Sequence, residues 1–148
     1  MTTRIAINGF GRIGRLVLRS LIEADRNDVE VVSINSPGAT AVMAHLLEFD
    51  STHGHFEHPI TFGDDWMDVG KGKLTITHER DPSVLPHAAM DVDIVLECSG
   101  RFNSRDKASS HLSAGAKKVL VSAPASAADF TVVYGVNHEK LRDEHLVV

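Results

Sequence analysis

Asn8-Gly9-Phe10-Gly11-Arg12-Ile13-Gly14 is the stretch of this sequence whose residue types and spacing point most directly at a ligand. It is a G-x-G-x-x-G pattern, and each glycine has its own physical task in binding a dinucleotide pyrophosphate. Gly9 permits a tight turn. Gly11 lets a phosphate reach the backbone without meeting a Cβ, and Gly14 lets a helix pack closely on the preceding strand. A helix starting here offers unpaired N–H groups and about half a positive charge to an anion. Arg12 adds a cation at the same place. Glycine is common in turns, so the pattern has force only with a strand before it and a helix after it.

A dinucleotide site of this kind expects a carboxylate at the end of the second strand, where it accepts hydrogen bonds from the adenosine ribose. The corresponding residues here are Ile34-Asn35-Ser36, with no carboxylate. An acid would repel the 2′-phosphate of NADP, which carries about −1.5 to −2 charges. Ser36 forgoes a charge-assisted bond worth about 1.5–3 kcal/mol and removes that repulsion. NAD binding is then weakened and NADP partly tolerated. The alternative is that Asn35 and Ser36 serve the ribose hydroxyls well enough by themselves.

The other reactive side chains give weaker patterns. Cys98 is the sole cysteine and follows Glu97, whose carboxylate would raise a thiol pKa; it is expected to be a small buried hydrophobe and not a nucleophile. His53, His55 and His58, with His45 nearby, are spaced by two and three, which aligns no imidazoles on one helix face. They read as a solvated loop, and no metal site is expected. Arg15, Arg19 and Glu23 read as a solvated helix face.

The elements needed to hold the glycine stretch are present. Arg4 to Asn8 is a β-rich run that stops at glycine, and from Phe10 the period becomes helical, with Ile13, Leu16, Val17 and Leu21 as the apolar stripe. Val29 to Ile34 is nearly continuous Val/Ile, as in a strand buried on both faces. Strand, helix and strand make one right-handed βαβ unit. Thr40 is positioned to cap a second helix with Val42, Met43, Leu46 and Leu47 buried. Ile60–Phe62, Met67–Val69 and Leu74–Thr77 read as short strands joined by glycine turns, a small antiparallel excursion near residues 60–78. Asp93–Glu97, a helix from Ser104 to Ala114 ending on Gly115, and strands at Val119–Val121 and Thr131–Tyr134 complete the chain. The expected fold is α/β, a Rossmann-type doubly wound, mostly parallel sheet.

Composition sets the outer limits. The 148 residues suit one domain, 1–148, large enough to fold without disulfides or metal. A net charge of −5 argues against nucleic acid as partner. No apolar run approaches the length needed to cross a bilayer, and the amino terminus shows no signal peptide, so a cytoplasmic location is expected. His145-Leu146-Val147-Val148 is strand-like with no terminator after it, which reads as a boundary with more protein beyond.

Further blocks add a resemblance: Asp50-Ser51-Thr52-His53-Gly54, Glu79-Arg80-Asp81-Pro82, Ala116-Lys117-Lys118-Val119, Ser122-Ala123-Pro124 and Gly135-Val136-Asn137-His138-Glu139. With Asn8 to Arg15, they resemble the amino-terminal NAD-binding domain of bacterial phosphorylating glyceraldehyde-3-phosphate dehydrogenases. Val132 to Gly135 is also similar to erythrose-4-phosphate dehydrogenases. The resemblance implies that Arg12 and Ile13 meet the pyrophosphate, that Asn35 and Ser36 lie at the ribose where the family usually has Asp for Ser36, and that Arg80 lies near the adenine. It places Ser99 and Gly100 along the groove and Ser122 on the nicotinamide side, with Phe10 and Phe102 either flanking the cofactor or in the core. The family works through a cysteine thiolate and a histidine, which it places after the position of Val148. The chain is therefore expected to bind the nicotinamide dinucleotide, to carry no catalytic residue, and to be inactive alone. The full-length protein is expected to be a homo-oligomer. The alternatives are the same domain of an erythrose-4-phosphate dehydrogenase, or a stand-alone nucleotide-binding module.

Overall fold

In the computed structural model, which describes residues 2–148, strand β1 (Thr3–Asn8) enters the glycine turn and leaves it as helix α1 (Arg12–Glu23). The chain returns through β2 (Val29–Asn35), continues into α2 (Thr40–Glu48), and makes a two-stranded ribbon of β3 (Phe49–Asp50) and β4 (Gly54–His55). Three short strands follow, β5 (Thr61–Phe62), β6 (Trp66–Asp68) and β7 (Lys73–Thr77). The last part supplies β8 (Ile94–Glu97), α3 (Arg105–Ser113) and β9 (Lys118–Val121).

Seven of these strands form one sheet in the order β5-β6-β7-β2-β1-β8-β9. The five from β7 to β9 are parallel, and β5 and β6 are added antiparallel at one edge. The expected excursion is thus continuous with the main sheet, because β7 pairs with β2. From β1 the chain builds outward first toward β2 and later toward β8, so the strand order reverses beside β1. Such a reversal leaves a crevice at the carboxyl ends of the strands.

Alternation along the strands sends side chains to two cores. Ile7, Ile34 and Ile76 pack under α1 and α2 with Leu18, Ile22, Met43, Leu47 and Phe56. Ala6, Val32, Val95 and Val119 pack on the opposite face with Ala108 of α3, Val92 and Val147. Each fully buried aliphatic side chain contributes about 1.5–3 kcal/mol of transfer free energy, so both faces hold the sheet.

Five expectations are corrected. The buried face of α1 carries Gly14, Leu18, Arg19 and Ile22, whereas Ile13 is exposed and Leu16, Val17 and Leu21 are half-buried. Arg19 is accordingly not a solvated residue: it is 6% exposed, and its guanidinium donates to the carbonyls of His53, Gly54 and His55 and to Glu23. Thr40 does not cap α2; Ala39 holds that position, and the Thr40 hydroxyl donates to the Asp64 carbonyl at 2.6 Å. In the same helix Met43 and Leu47 are buried but Val42 and Leu46 are exposed. Thr131–Tyr134 is no strand but an irregular loop, braced by Asn137, whose Oδ1 accepts from the Val133 N–H and whose Nδ2 donates to the Thr131 carbonyl.

The segment from Leu146 to Val148 lies along the outer edge of β9. Val119 N–H donates to the Leu146 carbonyl, Val121 N–H to that of Val148, and Val148 N–H back to Val119. Among the described residues no helix is long and apolar enough to cross a membrane.

Candidate dinucleotide cleft

The glycines at the end of β1 serve different ends. Gly9 has φ +95°, and a Cβ there would stand 2.5 Å from the Ser99 backbone nitrogen. A Cβ on Gly14 would stand 2.2 Å from the Gly9 carbonyl oxygen. Both positions are glycine because protein backbone occupies the space. Gly11 differs: its φ of −77° suits any residue, and a Cβ would meet nothing within 4 Å. The fold itself does not need glycine at 11.

Gly11 is also the N-cap of α1, with no side chain capping it and no acidic residue in the first turn. The first hydrogen bond back to it comes from Arg15 N–H at 3.0 Å. The N–H groups of Arg12, Ile13 and Gly14 therefore have no intrahelical acceptor, and Arg12 and Ile13 stand exposed beside them. The Arg15 guanidinium donates to the Phe10 carbonyl and braces the turn. Phe10 is buried in the core under α1.

A cleft of about 270 Å³ opens here, lined by Asn8, Gly9, Phe10, Gly11, Asn35, Ser36, Arg80, Ser99 and Phe102 among others. Gly100 follows Ser99 with φ +73° and open space where its Cβ would be. Ser122 is not in this cleft. It follows β9 and lines a neighbouring hollow with Leu120, Pro124, Val132 and Val148.

The polar side chains along the floor are engaged with one another. Asn35 donates to Asn8 Oδ1 and the Glu79 carbonyl, and its Oδ1 accepts from the Thr77 hydroxyl and Glu79 N–H. Both its amide hydrogens and both acceptor positions are thus engaged within the protein. Ser36 has its backbone tied to Thr77 and His78, and makes no side-chain hydrogen bond. The Ser99 hydroxyl is likewise committed, donating to Glu97 Oε1 at 2.5 Å and accepting from Arg101 N–H at 3.1 Å.

Arg101 is a cleft residue that sequence reasoning missed. Of nine arginines, six donate to a carboxylate or carbonyl; Arg12, Arg80 and Arg101 donate to no protein group among the described residues. Arg80 and Arg101 line the cleft and Arg12 stands at its edge on the first turn of α1. In a chain of net charge −5, unpaired cations gathered at one crevice favour an anionic ligand.

Cys98 is half-buried beside this floor, and burial together with the Glu97 carboxylate pushes its thiol above the usual range despite a hydrogen bond to Ser122. A thiol so held is a poor nucleophile. Of the histidines in the 45–58 region, His53 pairs with Asp50 at 3.1 Å, His55 pairs with Glu48 at 3.3 Å, His45 and His55 both pack on Phe49, and His58 packs on Phe56. Among the described residues no three metal-ligating side chains converge.

Comparison with known proteins agrees with this geometry. The family described as glyceraldehyde 3-phosphate dehydrogenase, NAD binding domain, matches residues 3–105. The chain is 60% identical over its whole length to the glyceraldehyde-3-phosphate dehydrogenase of Xanthobacter flavus, covering 44% of that protein. It is 55% identical over its whole length to that of Cereibacter sphaeroides, again covering 44%, and 52% identical to that of Pseudomonas aeruginosa, covering 45%. The chain therefore spans less than half the length of these relatives. It belongs to the glyceraldehyde 3-phosphate dehydrogenase family and carries that family's NAD-binding domain.

Proposed function

We propose that these 148 residues form one domain, the nucleotide-binding part of an oxidoreductase acting on an aldehyde phosphate, glyceraldehyde 3-phosphate by analogy with the relatives. The observation that carries the reading is Gly11, a glycine the fold does not need, at an uncapped helix start beside unpaired arginines. The residues fit the group. Gly11, Arg12, Ile13 and Gly14 would hold the pyrophosphate through the first-turn N–H groups, on a turn set by Asn8, Gly9 and Phe10. Ser36, next to Asn35, would meet the adenosine ribose, and Arg80, Ser99 and Gly100 would line the adenosine side. Ser122, from the adjoining hollow, would face the nicotinamide. Bound there, NAD would supply the hydride acceptor.

The chain's own part is binding and orientation. Its single cysteine is partly buried with a raised pKa, so nothing here generates the thiolate that aldehyde oxidation needs. The isolated chain binds the nucleotide and turns over no substrate, and homo-oligomer formation and cytoplasmic location belong to the full-length protein.

Ser36 bears on cofactor choice. Its hydroxyl has no partner among the described residues, and Glu79 and Arg80 both line the same cleft, so residue 36 itself adds no carboxylate against a 2′-phosphate. Calorimetric titration should give NAD and NADP affinities within about two orders of magnitude of each other. Ser36→Asp should widen the preference for NAD. A far larger preference for NAD in the wild type, or no change in Ser36→Asp, overturns this placement of Ser36. Turnover of glyceraldehyde 3-phosphate by this chain alone overturns the inactivity.

A further inference from the structure

Beneath the cleft a line of buried side chains crosses the sheet: Asn35, Asn8, Glu97, His111 and His87. Glu97 lies at its centre with no exposed side-chain surface. Its Oε1 accepts from the Ser99 N–H at 2.7 Å and from the Ser99 hydroxyl; its Oε2 accepts from Asn8 Nδ2 at 2.6 Å and from His111 Nε2 at 2.9 Å. His111 Nδ1 in turn lies 3.1 Å from His87 Nε2.

The amide orientations in this line follow from their backbone partner. Glu79 N–H can only donate, so Asn35 Oδ1 faces it and Asn35 Nδ2 faces Asn8 Oδ1. Asn8 must then present its N–H groups to Glu97. Ser99 N–H also donates to Glu97. At the far end, His87 Nδ1 is buried without a partner. His111 Nε2 faces the Glu97 carboxylate and serves it as a donor, while one proton bridges His111 Nδ1 and His87 Nε2. The Glu97 carboxylate is thus surrounded by donors.

That carboxylate joins the two turns that wall the cleft. Asn8 leads into the Gly9 turn and Ser99 into the Gly100 turn, and the two are in contact, as the 2.5 Å approach of a Gly9 Cβ to Ser99 shows. We propose that Glu97 is a positioning residue for nucleotide binding: its charge, gathering Asn8, Ser99 and His111, sets the spacing of the two turns that receive the dinucleotide. This rests on the dinucleotide reading above. Glutamine at 97 has nearly the same shape but puts an N–H against the donors of Asn8 and His111. Moving the charge to residue 8 removes the mismatch on that side. In the Asn8→Asp/Glu97→Gln double variant, the new amide donates to the new carboxylate, which also accepts from Asn35 and lies within 3.4 Å of His111 Nε2.

The test is calorimetric titration of the 148-residue chain with NAD, with folding followed by near-UV circular dichroism. Glu97→Gln should weaken binding by about tenfold or more while folded, and Asn8→Asp, which sets two carboxylates together, should do so as well. The double variant should bind at least about threefold more tightly than either single variant. A generic loss of packing would add across the two changes instead of cancelling. Wild-type affinity in Glu97→Gln, or a folded double variant no tighter than the single ones, overturns the proposal. If Glu97→Gln does not fold, Ser99→Ala decides: loss of about threefold or more supports the proposal, and unchanged affinity overturns it. Absence of NAD binding in the wild type overturns the dinucleotide reading and this proposal with it.

Discussion

Gly11→Ala separates what the fold needs from what a ligand needs. The added methyl enters open space at φ −77° and ψ −160°, a conformation alanine adopts freely. Losing glycine's unfolded-state freedom favours the fold by about 0.4–1 kcal/mol. Alanine is a poorer N-cap than glycine by roughly a similar amount. The two effects nearly cancel, and Tm should stay within about 3 °C of wild type. Binding is different, because the methyl projects where an anion must come to reach the first-turn N–H groups. Pushing a phosphate off one or two such donors removes about 1.5–4 kcal/mol, roughly a 10- to 1000-fold loss of NAD affinity. Gly14→Ala provides the contrast: its methyl meets the Gly9 carbonyl oxygen at 2.2 Å, and stability itself should fall. Scanning calorimetry and NAD titration on the two variants give both readings. Unchanged affinity in Gly11→Ala, or a Tm loss as large as that of Gly14→Ala, would refute the assignment.

Two further outcomes follow from the buried polar groups. Arg19→Met should cost about 2–4 kcal/mol in urea unfolding, because the carbonyls of residues 53–55 lose a charged donor, while NAD affinity stays unchanged; a loss under about 0.5 kcal/mol would show that water replaces the guanidinium. Burial, with His111 beside it, depresses the His87 pKa to about 4, so the unfolded chain binds a proton that the folded chain refuses. The stabilising contribution is complete above the unfolded pKa of about 6.5 and is lost as pH falls through that of the folded state, at most about 3 kcal/mol. Urea unfolding between pH 7.5 and 4.5 should show that slope, and His87→Leu should flatten it; equal slopes would refute the link.

Much of the cleft was legible because local patterns and fold agree there. The period change after Asn8 gave strand, turn and helix, and the glycine spacing placed the turn at the sheet edge where the order reverses. The face of α1 was misjudged because the helix carries apolar residues on two sides, and period alone does not say which side is covered. The missing signal was present: Gly14, read as the close-packing glycine, lies on one face with Leu18 and Ile22. The engagement of Asn35 with Asn8, Glu79 and Thr77 was not legible in the sequence, because these partners come from three separate segments. Glu97 was passed over as a neighbour of Cys98, although a carboxylate ending a buried strand must find several donors. Thr131–Tyr134 has strand-forming residues but no neighbouring strand to pair with, and local propensity does not build a strand alone.

The strip from Leu146 to Val148 has a consequence for how molecules of this chain behave toward one another. A parallel sheet that ends on an open strand exposes a row of unpaired amides, a template on which a second chain can stack. Here that row is closed by the chain's own backbone. The strip is pinned by Asp129, whose Oδ2 accepts from the N–H groups of both Leu146 and Val147 at 2.9 Å while Oδ1 pairs with Arg105. Those bonds lower the Asp129 carboxyl to about 2, so the clasp stays charged far into the acid range. One aspartate thus holds in place the strip that covers the β9 edge of the sheet.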